Sequence, residues 1–250
     1  MKLGRSSIKW RLLPAVSIVF SFFGRSWVDF YQWMLNRQER NNSISKIIAA
    51  NRGATGKDRG LYDLTRSEYH LAYMKRHGLQ RDKRVLDFGC GFGRSAVPLI
   101  KFLNPGMYRG VEISDERLRI AREWLVREGL SDVPHEFIHS KNCDLGYLID
   151  ESIDFFWAQA VISHMPERDI RKVLVALHRV MAPSGVVLFD YVEAEENFVR
   201  HTVKDFFYTR SQMESFVTSS GWSFKRLTDW NDDLPEVERN PAAIVLKLTK

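Results

Sequence analysis

Val85-Leu86-Asp87-Phe88-Gly89-Cys90-Gly91-Phe92-Gly93 decides how this 250-residue chain is read. A short apolar strand runs directly into three glycines at alternate positions. A strand that ends in such a turn and feeds a helix gathers backbone N–H groups and a helix N-terminus at the carboxyl edge of a sheet. Glycine there permits close backbone approach and dihedrals that other residues avoid. A Gly-x-Gly-x-Gly turn alone is weak evidence, because many nucleotide sites contain one.

Two carboxylates and one spacing sharpen it. Asp87 precedes the first glycine by two residues, where a carboxylate reaches a ligand ammonium directly or through water. Glu112 ends the next β-type run, 25 residues after Asp87, where a carboxylate accepts both hydroxyls of a ribose. The third glycine arrives too early for a dinucleotide Gly-x-Gly-x-x-Gly, since position 94 is Arg. A pyrophosphate cradle is thereby disfavoured, and a nucleoside carrying an amino acid is favoured.

Outward from this turn, strand and helix alternate. β-type runs fall at Arg84–Phe88, Tyr108–Ile113, Glu136–His139, Ile153–Ala158 and Val186–Tyr191. Ser114 caps a helix through about Arg127, with Asp115 and Glu116 in its first turn and Gly129 past its end. Pro166 is placed as a first helical residue, followed at helical spacing by Ile170, Val173, Leu174, Leu177, Val180 and Met181. Ser211-Gln212-Met213-Glu214 reads as a capping box whose helix stops near Gly221. Only a loop separates the last two strands, Ser223–Thr228 and Ala243–Leu248, so they pair antiparallel. The expected fold is α/β: a Rossmann-like doubly wound sheet of seven strands, mostly parallel with an antiparallel final strand, plus an N-terminal helical extension.

With these features in place, residues 80–250 closely resemble the class I S-adenosylmethionine-dependent methyltransferases. The resemblance rests on Val85–Gly93, Tyr108–Ser114, Ile153–Pro166, Val186–Tyr191 and the closing strand pair. The stretch Gln159-Ala160-Val161-Ile162-Ser163-His164-Met165-Pro166 is similar to a subgroup acting on small molecules and surface glycans. The resemblance implies S-adenosylmethionine as cofactor. Gly89, Gly91 and Gly93 would flank its methionine and ribose, with Cys90 a small turn residue among them and Asp87 beneath. Glu112 would take the ribose hydroxyls, Ile113 would pack on adenine, and Gln159 would lie near the methionine end. The loop after the third strand normally supplies an acidic residue to the adenine amino group. Here it reads Lys141-Asn142-Cys143-Asp144, so Asn142 and Asp144 compete for that contact beside Cys143.

His164 is the candidate general base, since an unperturbed imidazole suits proton removal near neutrality; a structural histidine near a helix start is the competing reading. Asp190 is the second catalytic candidate and has a plain strand-end alternative. Cys90 and Cys143 show no metal or redox spacing, and no metal site is expected. The methyl acceptor is expected to be a small molecule, a glycan or a lipid-linked compound.

The net charge of +6 is unevenly distributed. Residues 1–60 hold eleven Lys/Arg against three Asp/Glu, while residues 61–250 hold 26 against 28. The chain is therefore divided into a basic, aromatic arm and linker at 1–60 and a catalytic domain at 61–250. Trp10, Trp27 and Trp33 alternate with Lys9, Arg11, Arg25 and Arg37, a mixture suited to an anionic membrane surface through residues 1–40. An equal alternative has the arm packing on the domain and capping its pocket. Between Arg11 and Arg25 lie 13 uncharged residues, too few for a spanning helix, which needs roughly 20. A cytoplasmic protein is expected, peripheral at the inner face of the membrane if the arm docks there; nucleic acid is disfavoured by the near-neutral body. Two rivals stand beside methyl transfer: a non-catalytic cofactor-binding protein acting through the arm, and a nicotinamide-dependent oxidoreductase.

Overall fold

The structure, a computed structural model, describes residues 27–52, 66–195, 205–232, 234, 239–240 and 242–250. The arm residues Lys9, Trp10, Arg11 and Arg25 lie outside the described residues. Three helices come first: α1 (Trp27–Glu39), α2 (Ile44–Arg52) and α3 (Arg66–Arg76). The sheet then alternates with helices: β1 (Val85–Phe88), α4 (Ala96–Phe102), β2 (Tyr108–Glu112), α5 (Asp115–Arg127), β3 (Glu136–His139) and β4 (Ile153–Ala158). A 3-10 turn at Ile162–His164 leads into α6 (Glu167–Val180) and β5 (Met181–Ala194). The chain closes with β6 (Tyr208–Thr209), α7 (Arg210–Ser219), β7 (Ser223–Leu227) and β8 (Ala243–Thr249).

The strand order is β3-β2-β1-β4-β5-β8-β7, with the two-residue β6 pairing off β5. The strands from β3 to β5 run parallel, and β8 is antiparallel to both β5 and β7. From β1 the chain proceeds to β2 and β3 on one side, then returns to β4 and β5 on the other. That reversal creates a crevice between the carboxyl ends of β1 and β4, where open α/β sheets bind ligands.

Alternation along the strands feeds two cores. In β4, Phe155 and Trp157 face the layer of α3, α4 and α5, packing with Tyr73, Leu99 and Trp124. Phe156 and Ala158 face the opposite layer of α6 and α7, packing with Ile170, Leu177 and Phe216. Burying both faces of a central strand explains why Phe155-Phe156-Trp157-Ala158 of β4 reads as a continuous apolar run.

The expected elements need local corrections. Pro166 is the N-cap of α6 and not its first helical residue, and Met181 begins β5 because the chain leaves the helix at Val180. The capping box of α7 lies two residues earlier than expected. Thr209 Oγ1 accepts the Gln212 N–H, and Gln212 Oε1 accepts the Thr209 N–H. Thr209 is also the second, buried residue of β6, so the cap doubles as a strand residue. The two-residue β6 was not anticipated; it is too short to carry an alternation signal.

Candidate active site

The Gly-rich turn is tied to the next strand. Both Gly89 and Cys90 donate their N–H groups to the carbonyl of Val111, at 2.8 and 3.0 Å. Glu112 lies beside them, nearly fully buried. Its Oε2 accepts the Gly91 N–H at 2.9 Å, and its Oε1 accepts those of Ile113 and Ser114 at 3.0 and 3.1 Å. A carboxylate offers about four lone-pair directions, so three backbone donors orient Glu112 and leave it acceptor capacity.

Asp87 is buried and accepts the Tyr108 hydroxyl at 2.9 Å. Burial pushes its carboxyl up to about 7; Glu112 adds to the rise, while the Tyr108 bond and the Arg94 charge oppose it. A cation arriving here would be welcomed by a carboxylate that is short of positive partners.

The three glycines have three different jobs. A Cβ on Gly89, whose φ is +75°, would lie 2.4 Å from Cγ2 of Val161, so this glycine lets the β1 and β4 ends approach. A Cβ on Gly91 would meet nothing within 4 Å, so the second glycine faces open space. Gly93 lines neither cleft described below; its would-be Cβ sits 3.0 Å from that of Ala121, and it serves packing of α5.

Two clefts meet at this point, of about 730 and about 1200 Å³ counting space open to solvent. The first is walled by Ile113, Asn142, Cys143, Val161 and Met165, with Glu112 at its inner end. The second is walled by Asp87, Cys90, Gly91, Arg94, Trp157 and Gln159. Gly89, Ala160, His164, Tyr31, Leu35 and Arg117 belong to both. Arg94 donates to Gln159 Oε1 at 2.9 Å, placing a guanidinium at the second cleft. In the loop after β3, Asp144 Oδ1 accepts the Gly146 N–H and lines neither cleft, whereas Asn142 does. Burial pushes the Cys143 thiol up to about 12, and the buried Cys90 thiol is raised too, so neither is a ready nucleophile.

His164 ends the 3-10 turn after β4, its Nδ1 2.9 Å from Oδ1 of Asp205 and its ring stacked on Tyr31. Asp190 plays a different part. It is buried, accepts the Ala160 N–H at 2.6 Å and the Gln159 side-chain amide at 3.4 Å, and lines neither cleft. Ala160 has φ +55°, a left-handed conformation that costs a non-glycine residue of order 1–3 kcal/mol. The Asp190 carboxylate holds that conformation in place. Burial pushes it up to about 6, against the pull of those two hydrogen bonds.

Helix α1 covers both clefts through Tyr31 and Leu35. Its polar face is tethered to the strand ends and to α5. Asp29 pairs with Lys141, Gln32 bonds His139 at 2.9 Å, and Asn36 Oδ1 accepts the Ser114 hydroxyl at 2.7 Å. Further along, the buried Glu39 lies 3.7 Å from Arg117. Tyr31, Leu35, Arg94, Arg117 and Asp205 are site residues that sequence reasoning passed over. The i, i+4 pair Tyr31 and Leu35 carries a helical signal, but the basic aromatic arm absorbed it.

Residues 85–185 match the family model described as Methyltransferase domain. Methyltransferase GfsG of Streptomyces halstedii is 31% identical over 167 residues, covering 66% of this chain and 54% of the relative. The ubiquinone biosynthesis O-methyltransferase of Neisseria meningitidis serogroup C is 25% identical over 149 residues, covering 60% of each. The chain therefore spans little more than half the length of these curated relatives. A solved S-adenosylmethionine-dependent methyltransferase from Clostridium acetobutylicum shares the fold, with a TM-score of 0.56 at 16% identity over 75% of this chain and 92% of that one. The matched stretch begins on β1 and ends inside β5, so it contains the crevice between β1 and β4 and both carboxylates; residues 85–185 are a methyltransferase domain, and the fold around them is that of the class I S-adenosylmethionine-dependent methyltransferases.

Proposed function

We propose that this protein transfers a methyl group from S-adenosylmethionine to a small-molecule acceptor, lipid-linked and glycan acceptors included, by direct displacement at an O, N or C nucleophile. The observation that carries the reading is the meeting of the two clefts at Gly89 and Ala160, with Glu112 in one, Asp87 in the other and His164 at their junction. The donor set fits the cofactor. Glu112 keeps acceptor capacity for the ribose diol, and Asp87 offers a buried carboxylate for the ammonium. Arg94 offers a cation for the carboxylate, while Gly91 leaves the space a side chain would fill. Ile113, Asn142 and Cys143 wall the adenine side, and Cys90 and Gln159 the methionine side.

When bound, the sulfonium supplies an electrophilic methyl carbon, to which the acceptor atom bonds as the sulfur–carbon bond breaks. The protein's work is alignment, exclusion of water by α1, and removal of the acceptor proton where it is not already lost. His164 takes that proton. The name of the Neisseria relative, an O-methyltransferase of ubiquinone biosynthesis, supports a hydroxyl acceptor on a small molecule. Residues 27–39 serve as cover for the site, so docking on an anionic membrane surface from the cytoplasmic side rests on the basic, tryptophan-bearing segment 1–26 alone. No helix among the described residues is long and apolar enough to cross a membrane.

The test is methyl transfer from labelled S-adenosylmethionine into cell extract, with products sorted into lipid, glycan, RNA, protein and small-molecule fractions. Label in a small-molecule, glycan or lipid fraction, lost in His164→Ala while S-adenosylhomocysteine affinity is unchanged, is the expected result. Label in RNA or protein overturns the acceptor class. Tight S-adenosylhomocysteine binding with no label anywhere favours a non-catalytic role, and preference for NADH overturns the cofactor.

A further inference from the structure

His164 is held by a second chain segment that no sequence signal connects to it. Its Nδ1 lies 2.9 Å from Oδ1 of Asp205, and both side chains are about one quarter exposed. The segment carrying Asp205 is fixed to the turn after β4. The Phe206 N–H donates to the Ser163 carbonyl at 2.7 Å, and the Tyr208 hydroxyl donates to the Met165 carbonyl at 2.9 Å. Phe206 also meets Trp27 of α1 edge-to-face, with ring centroids 5.4 Å apart. On its other side the His164 ring stacks against Tyr31, at 5.6 Å and 30°. The imidazole is thus held on its face by Tyr31 of α1 and at Nδ1 by Asp205 of the segment before β6, and the two contacts together orient its plane.

The chemistry of this contact is directional. An ionised carboxylate only accepts, so the bond to Asp205 requires the proton on Nδ1. In the neutral ring this leaves Nε2 as the basic nitrogen. Once a proton has been taken, the same carboxylate faces an imidazolium and stabilises it. We propose that Asp205 is a positioning residue for the reaction, fixing the tautomer and plane of His164 so that Nε2 receives the acceptor's proton. The inference rests on the reading of His164 as base.

The test uses the full chain with S-adenosylhomocysteine bound, and Asp205→Asn, Asp205→Ala, Asp205→Glu and His164→Gln variants. The first measurement is the pair of imidazole ¹⁵N shifts of His164, taken at a pH above the ordinary histidine range. Wild type should show a protonated Nδ1, and Asp205→Ala should move the proton to Nε2. The second is the rate of methyl transfer from labelled S-adenosylmethionine into the small-molecule fraction of extract. Asp205→Ala should slow it roughly 10²-fold, within the range general-base contributions span. S-adenosylhomocysteine affinity should stay within about twofold, and Asp205→Glu should recover part of the rate. An unchanged tautomer in Asp205→Ala overturns the proposal, as does an unchanged rate in a protein that His164→Gln inactivates; in both cases the base reading survives. Full activity in His164→Gln overturns the base reading and the positioning role together.

Discussion

Gly89→Ala puts the closeness of the β1 and β4 ends to a quantitative test. At φ +75° the new side chain occupies the left-handed region, at a cost of about 1–2 kcal/mol. The added Cβ would also lie 2.4 Å from Cγ2 and 3.1 Å from Cγ1 of Val161, closer than packed carbons approach. Overpacking of this kind costs about 1–3 kcal/mol. Gly89→Ala is therefore expected to destabilise by about 2–5 kcal/mol.

The two contributions separate in a double-mutant cycle. Val161→Ala removes both γ-carbons and leaves only Val161 Cβ, at an ordinary 3.4 Å. Alone it costs about 1 kcal/mol, because Val161 is half-buried. Combined with Gly89→Ala it relieves the clash but not the backbone strain. The double variant should be more stable than additivity requires by about 1–3 kcal/mol. Urea unfolding with linear extrapolation measures all four corners. A coupling energy within about 0.5 kcal/mol of zero refutes the reasoning, since distant or independent sites add to that accuracy. So does a single-variant cost below about 1 kcal/mol, less than the backbone cost alone.

Two further outcomes follow from the carboxylates. Glu112→Gln turns one acceptor oxygen toward backbone N–H groups as an amide donor, losing a charge-assisted bond worth about 1.5–3 kcal/mol; S-adenosylhomocysteine affinity by calorimetry should fall about 10- to 100-fold, and a change below about twofold counts against the role of Glu112. Asp87, with its folded-state carboxyl raised to about 7, keeps a proton that the unfolded chain has already lost. Its contribution stabilises the ligand-free protein at low pH and is lost as pH rises through about 7, so stability measured by denaturant should fall more steeply between about pH 5 and 7 in wild type than in Asp87→Asn, and parallel profiles contradict the burial argument.

The parts of the site that could be read in sequence are those whose geometry is local. Asp87, Gly89 and Gly91 share one strand and its turn, and Glu112 ends the neighbouring strand one crossover away, so their spacing nearly fixes their positions. Ser114 capped its helix as expected for the same reason, its Oγ accepting the Arg117 N–H three residues on. Gly93 had the right spacing, but its role depends on how closely α5 packs, which spacing does not report. Asp190 was expected at a strand end but lies inside β5, four residues before its last, and its carboxylate accepts the N–H of the left-handed Ala160 in the neighbouring loop, a contact that spacing does not report.

By itself the sequence determined the strand–turn–helix alternation, the antiparallel closing pair and the placement of Asp87 and Glu112 on neighbouring strands at one sheet edge, because short-range periodicity and turn chemistry write those into neighbouring residues. Only the tertiary structure decided that Trp27–Glu39 covers the site and that Asp205 meets His164. The same basic, aromatic residues satisfy a membrane surface or a protein surface equally well. Which one they bury against depends on tethers such as Asn36 to Ser114 and Gln32 to His139, formed between segments that come together only when the sheet is assembled.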